Sequence, residues 1–297
     1  MSLAYDFFVG PFLEFSFMRR ALVGCLALAM GSGPVGTLLI LRRMSLMGDA
    51  LSHAVLPGAA IGFLVGGLSL VSMSIGGAIA GLAVALLSGL VTRLTALRED
   101  ASFAAFYLAS LALGVLIVSL FGSAIDLLNV LFGSILAVDD AALLLIAGIA
   151  TISLLTLAVI YRPLVVECFD PGFLRSVAGH GGLTHTIFLI LVVINLVAGF
   201  QALGTLMSVG LMMLPAAAAR FWAREVWTLS LTSAALALAA GYAGLLLSYH
   251  ANLPSGPAII LTAALGYLVS LLVGTRGSVR TRYFVRSHIH IEHSTRG

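Results

Sequence analysis

The chain has 297 residues, of which 61% are hydrophobic and 9% charged, against roughly 45–50% and about 25% in a soluble domain, so an ordinary water-soluble protein is excluded. All 15 basic residues are arginine, 12 residues are acidic, and the net charge of +3 is small. The absence of lysine also excludes a phosphate-binding loop of the GxxxxGK[ST] type, so any ATP that drives this protein is hydrolysed by another chain. Taken in order, the N-terminus places Asp6 and Glu14 ahead of Arg19 and Arg20. It lacks the basic start of a cleaved signal peptide, and the first apolar segment is expected to be retained.

At about 20 apolar residues per crossing, candidate spans fall at 21–41, 54–71, 75–92, 101–121, 141–161, 186–200, 203–219, 226–248 and 257–274. Nine is an upper count, so the expectation is an all-α polytopic bundle of eight or nine spans. It forms a single transmembrane domain over 1–275, followed by an Arg- and His-containing tail, 276–297. The first span carries Gly31, Gly33, Pro34 and Gly36 and is predicted to be broken or closely packed. No charged residue falls between Thr186 and Ala219. As one helix that stretch would run about 51 Å, so two short helices turning near Gly199 to Gly204 are predicted, with Pro215 kinking the second. The apolar stretch 127–138 is too short to cross and reads as an interfacial or re-entrant helix. Cys25 and Cys168 lie far apart in unlike surroundings and read as isolated thiols.

Arginines set the orientation. They populate the connections 42–53, 93–100, 162–185 and 220–225 and the tail, while 72–74, 122–140 and 249–256 carry none. The C-terminus and the 162–185 loop are therefore expected in the cytoplasm; with nine spans, Arg19 and Arg20 would be an exception on the outer side. In that loop Asp170 can cap a short helix, Pro171 suits its first turn and Gly179 can end it. Such a helix is either a plain surface element or a docking element.

The most informative run is Arg42-Arg43-Met44-Ser45-Leu46-Met47-Gly48-Asp49-Ala50-Leu51-Ser52-His53. On a helix, Asp49 and His53 share one face about 6 Å apart. A carboxylate oxygen and an imidazole nitrogen at that spacing can hold one divalent cation. An ionisable residue at membrane depth costs roughly 2.5–3.5 kcal/mol on insertion scales and marks function by default. The same spacing also suits Asp49 capping a helix with His53 as its hydrogen-bonded partner, and spacing alone leaves both open. Ser52, Asn195 and Gln201 could line a pathway; Asn195 and Gln201 could equally bond helix to helix. Met207, Met212 and Met213 offer soft sulfur or packing. His250 sits at an outer loop. In the tail, His288, His290 and His293 with Glu292 could form an accessory metal site, or be solvated chain. No HExxH or GxSxG motif supplies a hydrolase nucleophile or metal pair.

The run Ser45 to Gly58 resembles the signature of the zinc and manganese permeases of ABC transporters. Leu131 to Val138, Cys168-Phe-Asp-Pro171 with Arg175, Gly210 to Arg220 and Leu253-Pro-Ser-Gly256 extend the likeness over roughly residues 15 to 275. The resemblance implies the ABC importer permease fold and a permease homodimer in a bacterial cytoplasmic membrane. It also implies two cytoplasmic ATPase subunits and an extracytoplasmic metal-binding protein. It makes 170–179 a coupling helix, with Asp170, Pro171, Phe173 and Arg175 contacting the ATPase, and makes Asp49 and His53 the metal contacts. Gly172 stands where an acidic residue is common in the family. The cargo would be Zn2+ or Mn2+, zinc being favoured by the histidine content, with no permanently bound cofactor and no enzymatic site in this chain. Rival readings are an ATP-independent carrier or channel and an intramembrane metalloenzyme using Asp49 and His53.

Overall fold

In hydrocarbon each backbone polar group has to be satisfied within its own segment, and for runs this apolar the helix does so. The computed structural model describes residues 3–67, 69–97, 99–121, 135–169 and 181–281, and among them there is no strand. Short helices α1 (Leu3–Phe8) and α2 (Gly10–Glu14) lead into α3 (Ser16–Leu41), α4 (Ser45–Gly66), α5 (Leu70–Leu94) and α6 (Glu99–Phe121). Then follow α7 (Asp140–Phe169), α8 (Gly181–Leu203), α9 (Thr205–Ala219), α10 (Val226–Ala251) and α11 (Ser255–Val273). Among the described residues, 8 helices are long and apolar enough to cross a membrane. Helix α9, with 15 residues, reaches only about 22 Å, which accounts for the ambiguity between eight and nine.

Helices α3, α4 and α8 are the most buried, whereas α6, α7 and α11 turn most of their surface outward. The layout follows: α3, α8 and α9 pack together at the centre, α4, α5 and α6 form one flank, α10 and α11 the other, and α7 lies across α3 and α8. Such packing has no hydrophobic drive in lipid and depends on close backbone approach at small residues. Gly58 of α4 and Gly76 of α5 face each other so closely that a Cβ on either would strike the other's carbonyl oxygen. Gly36 of α3 lies in the same way on the carbonyl of Met212 in α9. The first span is therefore closely packed and, despite Pro34, continuous.

Gly204, at φ 83°, turns α8 into α9, a left-handed conformation that glycine adopts without a Cβ penalty. The predicted turn is thus present, although α8 is a full 23 residues long rather than short. Most helices outrun their hydropathy windows, and two do so furthest: α4 begins at Ser45, ahead of 54, and α7 continues past 161 to Phe169. Hydropathy marks the hydrocarbon slab, while a helix continues for as long as its backbone has no better partner.

Opposite ends of the bundle are identified by polar contacts. Arg20 Nε pairs with Asp140 Oδ1 at 3.0 Å, Tyr242 donates to the Phe8 carbonyl at 2.8 Å, and His250 Nε2 lies 3.1 Å from the Phe7 carbonyl. The N-terminal helices therefore sit at the end that carries the 252–254 turn and the start of α7. Arg42, Glu167 and His185 meet at the other end. Arg19 and Arg20 thus lie at the arginine-poor end, as nine passes require, and Arg20 is neutralised by Asp140. Of the stretch 127–138, the described part is a 3-10 turn over Ile135–Ala137 followed by Val138.

Candidate functional site

Helix α4 starts after a tight turn in which Arg43 takes φ 59°, so its first turns stand directly against the end of α3. Met44 is the N-cap residue and no side chain caps the helix. Asp49 lies inside the helix and does not cap it. Its Oδ1 is 3.8 Å from His53 Nε2, with the Asp49 side chain 61% exposed and that of His53 21%. That is beyond a hydrogen bond. It suits two ligands of one ion, since donors about 2.1 Å from a tetrahedral metal stand about 3.4 Å apart and a small rotamer change closes the difference.

The surroundings of the pair are ordered on one side and open on the other. Tyr107 of α6 lies over the imidazole, ring centroids 6.3 Å apart at 27°, and Ser110 of α6 donates to the Ala54 carbonyl at 3.2 Å. His53 Nδ1 is buried and finds no hydrogen-bond partner among the described residues. Ser52 turns its hydroxyl onto the Asp49 carbonyl at 2.7 Å. The methyl ends of Met212 and Met213 on α9 pack against Gly48, next to the aspartate. Among the described residues no group of three or more His, Cys, Asp or Glu could hold a metal. The pair contributes two donors, less than the four of a closed structural zinc site.

The other sequence candidates are placed apart from this pair. Asn195 of α8 donates to Ser153 Oγ of α7 at 2.7 Å and to the Leu191 carbonyl, and its oxygen lies against Gly31 of α3. Gln201 donates to Ser74 Oγ of α5 at 2.7 Å. Both amides bond helix to helix here. Met212 is buried in one core cluster with Met213 packed against it, and Met207 packs against a second. His250 stacks on Phe7, centroids 4.0 Å apart. Asp170, Pro171, Phe173, Arg175, His288, His290 and His293 lie outside the described residues. The sequence reading passed over Tyr107, which lies in α6, distant in the chain, and over the buried Arg42–Glu167–His185 group. A lone Glu167 near the end of an apolar span was the available signal for the latter.

A bundle of long apolar helices with an Asp/His pair near the start of one of them, His53 largely covered and Asp49 open, is the architecture of a polytopic membrane protein. The chain belongs to the ABC 3 transport family, whose profile matches residues 14–274. It is 32% identical over 281 residues to the manganese import system permease protein ScaB of Streptococcus parasanguinis, covering 95% of this chain and 99% of that protein. It is also 32% identical over 279 residues to the manganese transport system membrane protein MntC of Halalkalibacterium halodurans, covering 94% of each. Among solved structures, PsaBC from Streptococcus pneumoniae in complex with Fab superposes with a TM-score of 0.82 at 30% identity, over 94% of this chain and 98% of that one.

Proposed function

We propose that this chain is the membrane subunit of an ABC importer that carries a divalent metal ion into the cytoplasm, with manganese the first candidate cargo and zinc the second. The observation that carries the reading is the Asp49–His53 pair: one hard oxygen and one imidazole nitrogen on a spanning helix, too few to trap an ion. A pathway ligand set has to release what it binds, and two donors per chain, matched by two from a second copy, form such a set. An oxygen/nitrogen pair without thiolate suits Mn2+ or Zn2+ alike. Manganese is preferred because ScaB and MntC are described as manganese permeases.

Segment 170–179 is read as the element that rests on a cytoplasmic ATPase, and an extracytoplasmic binding protein delivers the ion. ATP binding and hydrolysis in the partner chains bias two arrangements of the bundle, open outward or inward. Ser52 is a secondary candidate for the lining, Asn195 and Gln201 join helices rather than line the path, and the tail histidines are accessory. The test is uptake of radiolabelled manganese and zinc into proteoliposomes holding the assembled complex. Asp49→Asn and His53→Ala are expected to lower uptake more than tenfold while the ATPase still co-purifies, whereas Asp170→Ala or Phe173→Ala weakens co-purification itself. Normal uptake by both Asp49→Asn and His53→Ala would overturn the pathway.

A further inference from the structure

The end of α3 meets the facing ends of the consecutive helices α7 and α8 at one buried charged group. Arg42 is the C-cap residue of α3. Its Nη2 bonds Glu167 Oε1 of α7 and lies 3.0 Å from His185 Nδ1 of α8. The Arg42 and Glu167 side chains are each 7% exposed. Arginine has donors and no acceptor, so Nδ1 can meet the guanidinium only as an acceptor. The 3.6 Å between Nδ1 and Glu167 Oε1 is then proximity rather than a bond. The guanidinium also lies over the Phe188 ring, 4.8 Å from its centroid, one turn beyond His185.

Stability does not explain this arrangement. Withdrawing an arginine and a glutamate from water carries a desolvation penalty that their attraction seldom exceeds, and apolar replacement of such a pair is often neutral or stabilising. Among the described residues, Arg42 Nη1 and Glu167 Oε2 are buried and have no hydrogen-bond partner. What a buried, directional ion pair does supply is a fixed register between the elements it joins. The register in question is informative. Glu167 lies three residues before segment 170–180 and His185 five residues after it. Arg42 is followed by the left-handed Arg43 and then by α4, which carries Asp49 and His53.

We propose that Arg42 is a positioning residue that clamps both stems of segment 170–180, through Glu167 and His185, to the α3–α4 turn, so that displacement of those stems is delivered to the helix bearing Asp49 and His53. This rests on the reading of 170–179 as the ATPase-contacting element. The clamp keeps the end of α7 and the start of α4 moving as one body through the ATP cycle, and without it the partner chains hydrolyse ATP without moving the ion pair.

The test uses the assembled complex in vesicles of phosphatidylethanolamine and phosphatidylglycerol. Arg42→Met and Glu167→Gln are expected to hydrolyse ATP within about twofold of the parent while ions moved per ATP fall at least tenfold. The exchanged pair, Arg42→Glu with Glu167→Arg, is expected to restore a third or more of that ratio. A purely structural role would lower assembly and ATP hydrolysis together and leave the ratio unchanged, which would overturn the proposal. If Arg42→Met does not assemble, Glu167→Gln keeps the side-chain shape and removes the charge of the pair, and an unchanged ratio in it counts equally against the clamp. A second readout is independent of the cargo: spin labels at the exposed positions Leu46 and Phe169, with Cys25 and Cys168 replaced by alanine. Their separation is expected to stay constant between nucleotide-free and ATP-bound parent complex and to diverge in Arg42→Met. Divergence in the parent overturns the clamp, whereas a parent that hydrolyses ATP, holds the separation and moves neither manganese nor zinc overturns only the cargo.

Discussion

Asp49 and His53 illustrate how far a spacing carries at the scale of single residues. Four positions apart on a helix they had to share a face, and they do, at 3.8 Å. What the spacing could not supply was Tyr107 over the imidazole or the burial of Nδ1, because both depend on α6, remote in the chain. Asn195 makes the complementary point. Its amide joins α8 to α7, and interhelical bonds of this kind are worth about 0.6 kcal/mol on average and up to about 1.7. Asn195→Ala is therefore expected to lower thermal stability in detergent by that order and to leave metal uptake per folded complex unchanged. Reduced uptake at unchanged stability would instead assign Asn195 to the pathway lining.

Among the elements, contact geometry decides what composition leaves open. The glycine-rich stretch in α3 signalled either a break or a close approach, and the two cannot be told apart without knowing what lies opposite. The Met212 carbonyl against Gly36 answers this for α3, and the facing backbones at Gly58 and Gly76 show the same close approach between α4 and α5. Gly58→Val is expected to force the two helices apart and destabilise the protein by about 1–3 kcal/mol or more, as overpacking does. Gly148→Ala, inside α7 where an added Cβ meets nothing within 4 Å, is expected to keep the stability of the parent or raise it by up to about 1 kcal/mol through helix propensity. Thermal unfolding of the purified protein in detergent, both variants side by side, measures the difference. The early start of α4 belongs to this scale as well: a hydropathy window treats Asp49 and His53 as connection, whereas the structure extends the helix through them.

For the molecule as a whole, the contact pattern sorts the helix ends into two groups. The end of α3 and the turn after α11 lie together, and Arg20 at the other end is held by Asp140. In a background without Cys25 and Cys168, Thr275→Cys in whole cells is expected to resist an impermeant maleimide and Asn252→Cys to react with it. The reverse labelling pattern would invert the proposed topology. The arrangement of α3, α8 and α9 at the centre, with α6, α7 and α11 outward, leaves those outer helices to face lipid or a second copy.

Composition, the arginine spacing and the run from Ser45 to Gly58 were enough to determine a membrane bundle, the approximate number of passes and the pair of candidate ligands. These are local properties: hydropathy over about 20 residues, charge in short loops and helical periodicity. Three features were decided only by tertiary structure: the unbroken first span, the partners of Asn195 and Gln201, and the meeting of Arg42, Glu167 and His185. Each depends on which helices are neighbours, and helix neighbours are set by close backbone packing at small residues that the chain brings together from remote positions.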